Sequence, residues 1–139
     1  MFMRNYRLSE QDLKFYNIDH HSREPFGKAL KRLRDITGLT QNELGKLLGI
    51  TGVTINNYEH GYRKNPEPDF VVSVATCFDI KPTYFREYRI YKLLQRLNEY
   101  PGLIDLFLDI ANNPNPNKFL QGYREYKKRD DAFKASLLG

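Results

Sequence analysis

Leu39-Thr40-Gln41-Asn42-Glu43-Leu44-Gly45-Lys46-Leu47-Leu48-Gly49-Ile50-Thr51-Gly52-Val53-Thr54-Ile55-Asn56-Asn57-Tyr58-Glu59-His60-Gly61 holds two helix starts and two helix stops in one short run. Thr40 is placed as an N-cap with Glu43 three residues on as its capping-box partner, and Leu39 faces Leu44 as a hydrophobic staple. A helix opens at Gln41, with Leu44, Leu47 and Leu48 expected to point inward, and stops at Gly49. Only Ile50 then separates it from Thr51, the next N-cap, so the connection is a tight turn. The following helix, about Gly52 to His60, turns Ile55 and Tyr58 inward. Val53, Thr54, Asn56 and Asn57 face outward, and Gly61 terminates it.

Upstream, Pro25 suits a first helical turn. Phe26, Ala29, Leu30, Leu33 and Ile36/Thr37 recur at the spacing of one helix face, and Gly38 is placed for a left-handed C-cap. Two short helices joined by a glycine-containing turn form a helix-turn-helix unit, whose second helix enters the DNA major groove. Leu39 to Gly45, Leu48-Gly49-Ile50-Thr51, Ile55, Tyr58-Glu59-His60-Gly61 and Pro66 together resemble the lambda-repressor-like, or XRE-family, helix-turn-helix domain. Downstream, Val71, Val74-Ala75, Phe78, Ile80 and Phe85 follow that family's fourth and fifth helices, so the resemblance covers about residues 25–86. It implies an all-α, five-helix domain, followed here by an additional C-terminal helical module. Gly45 falls where a large side chain would hold the two helices of the unit apart.

The resemblance also implies roles. Arg34 lies where the family often has an arginine paired with the glutamate at Glu59. Gln41 is expected to touch a phosphate and brace the recognition helix. Thr51, Gly52, Val53 and Asn57 match positions that face base edges; Asn57 offers a bidentate donor and acceptor to adenine, and Val53 an apolar contact to a thymine methyl. Gly52 departs from the pattern, having no side chain where relatives often carry a long polar one, so shape and deformability would supply part of the specificity. Thr54, Asn56, His60, Tyr62, Arg63 and Lys64 are phosphate-contact candidates. The implied function is a sequence-specific transcriptional regulator, a repressor binding a palindromic operator in double-stranded DNA as a homodimer. The alternative is an antitoxin or a protein- or peptide-binding regulator whose helix-turn-helix unit autoregulates.

Charge points to the same segment. The net charge is +5, and residues 22–66 carry eight basic residues (Arg23, Lys28, Lys31, Arg32, Arg34, Lys46, Arg63, Lys64) against four acidic ones, which is four of the five excess charges. A polyanion would meet that segment, whereas a merely soluble basic surface is the plainer account of the charge alone. Its 139 residues, 40% of them hydrophobic, give one main core. The longest apolar stretch, Gly102 to Ala111, is broken by Asp105 and Asp109, too short for a membrane helix. One cysteine, Cys77, excludes an internal disulfide. With no apolar h-region at the N-terminus, a cytoplasmic location is expected.

Elsewhere the chain says less. Residues 1–21 read as an arm, with a short helix near Ser9 to Tyr16, that either packs on the domain or reaches into an adjacent groove. Asn17-Ile18-Asp19-His20-His21 invites a metal reading, but adjacent residues do not share a face and no ligand recurs at metal spacing, so neither metal nor cofactor is expected. No nucleophile elbow, phosphate loop or cysteine–histidine motif is present, so no enzyme is expected. After the 22–86 domain, residues 87–139 form the C-terminal extension. Phe85, Tyr88, Tyr91, Leu94, Leu97 and Tyr100 mark a prolonged helix that Pro101 ends; Leu103, Leu106, Phe107, Ile110 and Ala111 form a second stripe. Asn112 to Asn117 break the chain, and Phe119, Tyr123, Tyr126, Phe133 and Leu137 mark a last helix. These stripes either dimerise, dock a partner or enlarge the core.

Overall fold

A computed structural model describes residue 11 and residues 21–138. Gln11 apart, the arm helix expected near Ser9 to Tyr16 and the Asn17 to His20 part of the metal reading lie outside the described residues. Among the described residues the fold is all-helical: α1 Phe26–Thr37, α2 Gln41–Leu48, α3 Gly52–Glu59, α4 Pro68–Phe78, a 3-10 turn Pro82–Tyr84, α5 Arg86–Glu99, α6 Pro101–Ala111 and α7 Pro116–Leu138.

The start of α2 forms as its sequence dictates. Thr40 Oγ1 accepts from the Glu43 amide at 3.0 Å, and Glu43 Oε1 accepts from the Thr40 amide at 3.0 Å, closing the capping box. Leu39 and Leu44 are both buried, and Gly38 and Gly49 take the left-handed caps of α1 and α2. Gly45 is buried against the turn; a Cβ there would stand 2.7 Å from the Ile50 carbonyl oxygen and 3.0 Å from the Thr51 carbonyl carbon. The inner face of α2 is therefore Leu44, Gly45 and Leu48. Leu47 is a correction to the inward set: at about 100° per residue it falls well to one side of that face, and it is 48% exposed.

One core packs α1 to α4, the 3-10 turn and the start of α5. Phe26, Leu30 and Leu33 of α1 meet Ile55 and Tyr58 of α3, Val71, Val74 and Phe78 of α4, and Phe85. Burying a side chain such as Ile55 is worth roughly 1.5–3 kcal/mol. The Phe26 ring meets Tyr58 edge-on at 5.3 Å and Phe85 at 5.0 Å, while Tyr58 stacks on Phe70 at 5.2 Å. Tyr58 thus anchors the recognition helix by its inner side. Gly27 lets α1 come this close, because a Cβ there would lie 1.8 Å from the Tyr58 carbonyl oxygen. Before α1, the backbone is pinned at Ser22: its amide donates to the Tyr84 carbonyl at 2.7 Å, and its carbonyl accepts from Arg89 Nη2 at 2.7 Å.

The chain divides into two compact units, Met1–Leu94 and Gln95–Gly139. In the second unit, Pro101 does more than stop a helix: α5 ends at Glu99, and Pro101 opens α6 in its first turn, where its missing amide hydrogen has no helical partner to lose. Pro116 opens α7 in the same way. No described side chain of α6 or α7 is buried, and Leu106, Phe107, Leu108, Phe119, Tyr123 and Phe133 are among those exposed.

Candidate nucleic-acid interface

The outward face of α3 is held by a polar lattice beneath it. Arg34 grips Glu59 with two parallel hydrogen bonds, Nε to Oε2 at 2.9 Å and Nη2 to Oε1 at 2.8 Å, and its Nη1 donates to the Leu39 carbonyl at 2.9 Å. The Glu59 side chain is 2% exposed and that of Arg34 14%, so the fork geometry is desolvated, and the hydrogen bond to Glu59 holds the guanidinium above the ordinary arginine range. Gln41 joins this lattice: Nε2 donates to Asn56 Oδ1 at 3.1 Å and lies 3.4 Å from Glu59 Oε1. One network therefore ties the end of α1 and the first residue of α2 to the last turn and a half of α3. Asn56 spends its side-chain oxygen in that brace.

At the start of α3 the polar groups serve the helix first. Thr51 Oγ1 accepts from the Thr54 amide at 3.2 Å, and the two hydroxyls lie 3.0 Å apart. Gly52 is set against Asn42, whose Oδ1 would be 2.0 Å and whose Cα 3.2 Å from an added Cβ. A side chain at position 52 would therefore displace Asn42, a physical reason for the glycine that sequence alone does not carry. Val53 stands 69% exposed beside it. Asn57 is half-buried on the same face, and its carbonyl accepts from the amides of Tyr62 and Arg63 at 2.9 and 3.1 Å, folding the following loop back beneath the helix.

In that loop His60, Tyr62, Arg63 and Lys64 are all exposed. His60 Nδ1 donates to the Asn56 carbonyl at 3.0 Å, which fixes its proton, and its ring stacks on Tyr62 with centroids 5.8 Å apart. Tyr62 is 78% exposed, an aromatic with its hydroxyl available to a phosphate. Arg63 lies over the Tyr58 ring at 5.3 Å, a cation–π contact that orders the side chain without cancelling its charge. Thr51, Gly52, Val53 and Asn57 thus share the start and outer side of α3, with Tyr62 to Lys64 at its far end. Sequence reasoning missed Asn42 and Gly27, whose roles arise from contacts distant along the chain.

Among the described residues no group of His, Cys, Asp and Glu could hold a metal ion, and no helix is long and apolar enough to cross a membrane.

Two helices joined across a three-residue turn, the second braced from behind and open in front, define a helix-turn-helix protein. Residues 30–85 match the family model described as Helix-turn-helix, and this part of the chain belongs to the lambda-repressor-like, XRE-type helix-turn-helix family. The chain is 30% identical over 93 residues to an uncharacterized HTH-type transcriptional regulator of Methanocaldococcus jannaschii, covering 67% of this chain and 38% of that protein. It is 36% identical over 56 residues to the uncharacterized HTH-type transcriptional regulator RghRB of Bacillus subtilis, 40% of each chain. The chain therefore spans about two fifths of the length of these curated relatives. No solved structure matches it significantly.

Proposed function

We propose that this protein is a sequence-specific DNA-binding transcriptional regulator, a cytoplasmic repressor without catalytic activity that binds a palindromic operator as a homodimer. The observation that carries the reading is the braced and outwardly open α3, with Val53 exposed, Asn57 beside it and a cationic loop at its end. Thr51, Gly52, Val53 and Asn57 meet base edges, while Gln41, Thr54, Asn56, His60, Tyr62, Arg63 and Lys64 meet the backbone. The Arg34–Glu59 pair fixes the helix that does the reading. The regulators it matches support the same assignment by their names.

Dimerisation is assigned to the extension. Its exposed apolar side chains on α6 and α7 form the kind of surface that marks a contact site. A dimer also supplies two half-sites, so a recognition helix with few long polar side chains gains affinity through effective concentration. Light scattering tests this: the full chain is expected to have twice its chain mass at micromolar concentration, and Leu106→Glu on α6 to shift it toward monomer with weaker operator binding. A full-length monomer, both free and on DNA, would instead favour the second reading, an antitoxin or interaction regulator whose apolar extension docks another protein or peptide.

A further inference from the structure

Lys28 lines two depressions on the unit Met1–Leu94. One lies between the start of α1, the end of α3 with its loop, and the start of α5, and takes in Arg63 and Lys64. The other follows the outer side of α1 past Lys31, Arg32 and Asp35. The shared lysine makes them continuous. Lys28 and Lys31, three residues apart, project from one side of the helix.

The acids beside this path are engaged elsewhere. Glu59 is held by Arg34 and Glu87 by Arg86 at 3.0 Å; Glu24 pairs with Arg32; Asp35 leans on Arg34 at 3.7 Å. Lys28, Lys31 and Lys64 are exposed and have no ion-pair partner among the described residues. A path of uncompensated cations is what a polyanion exploits, because each phosphate neutralised releases condensed counterions. A spread surface charge that only confers solubility does not require the cations to adjoin one another or the recognition helix.

We propose that Lys28 and Lys31 extend the loop cations Arg63 and Lys64 into a track for the DNA phosphate backbone flanking the bases met by α3. The duplex is then gripped by α1 as well as by the helix-turn-helix unit. This deepens the DNA-binding reading and rests on it.

The test uses the full chain and two duplexes with the same selected core, one ending at the core and one extended on each side by about ten base pairs of arbitrary sequence, one helical turn. Binding is followed by fluorescence anisotropy as sodium chloride is varied, for the natural protein and for the double variant Lys28→Ala, Lys31→Ala. Both positions are exposed on α1 and alanine favours helix, so the fold is retained, as circular dichroism will verify. On the extended duplex the double variant should lose about two units of log–log salt slope, near 0.9 per phosphate contact, with base preference unchanged. On the core duplex the two proteins should bind alike. Equal slopes on the extended duplex, or equal losses on both duplexes, would overturn the track while leaving DNA binding intact. If the natural protein binds neither duplex, the DNA-binding reading falls and the track falls with it.

Discussion

Gly27→Ala is expected to destabilise the protein severely. The added Cβ would lie 1.8 Å from the Tyr58 carbonyl oxygen and 2.6 Å from its carbon, both backbone atoms that cannot swing aside as a side chain would. Alanine's helix propensity returns about 1 kcal/mol, but α1 must move bodily away from α3 to accept it. Overpacking in a tight core costs about 1–3 kcal/mol and more when backbone must shift, so the net sign is destabilising. Each kcal/mol shifts the midpoint of a domain this small by roughly 4–8 °C, and a fall of about 10 °C in a circular-dichroism melt is the expected reading. A midpoint equal to or above the natural protein's would show that α1 and α3 are not in this contact.

Arg34→Ala should be nearly as damaging, for an electrostatic reason. It leaves the Glu59 carboxylate 2% exposed with only Gln41 Nε2, at 3.4 Å, to answer it. Removing one partner of a buried pair typically costs about 3–5 kcal/mol, whereas a surface pair is worth about 0–1 kcal/mol. Arg34→Lys should be intermediate, keeping the charge and losing the fork. Removing both partners, Arg34→Ala with Glu59→Ala, should cost less than the sum of the single changes, since neither charge is then stranded. Urea denaturation at constant slope gives these differences directly. A loss below about 1 kcal/mol for Arg34→Ala would place the pair in solvent rather than under the recognition helix.

What was legible in the sequence was local. The Thr40–Glu43 box, the Gly38 and Gly49 caps and the Phe26, Leu30, Leu33 stripe each depend on neighbours within a few residues, and spacing alone reveals them. Leu47 shows the limit of spacing in a short helix: in eight residues, three leucines satisfy an inward pattern loosely, and the glycine between them holds the inner face. Gly27 reads only as a weak helix former, because its reason sits 31 residues further along, at Tyr58. Gly52 likewise looked like a gap in base readout until Asn42 was seen beside it. Arg89 reaches back across 67 residues to Ser22, a separation at which no local pattern operates. The candidate site was legible as a list of residues. Its internal division was not, since only coordinates distinguish the Asn56 side chain, given to the Gln41 brace, from Val53, given to the outside.

The central claim is that the outer side of α3 reads bases while its loop grips the backbone. Selection of bound sequences from random duplex DNA, repeated with Asn57→Ala and Lys64→Ala at several salt concentrations, tests it most directly. The natural protein should enrich one near-palindromic motif with affinity that falls as salt rises. Asn57→Ala should relax preference at its own base position by about 1–3 kcal/mol, and Lys64→Ala should weaken all sequences alike while reducing the salt slope by about one. Enrichment of no motif, or the same change from both substitutions, would contradict the account.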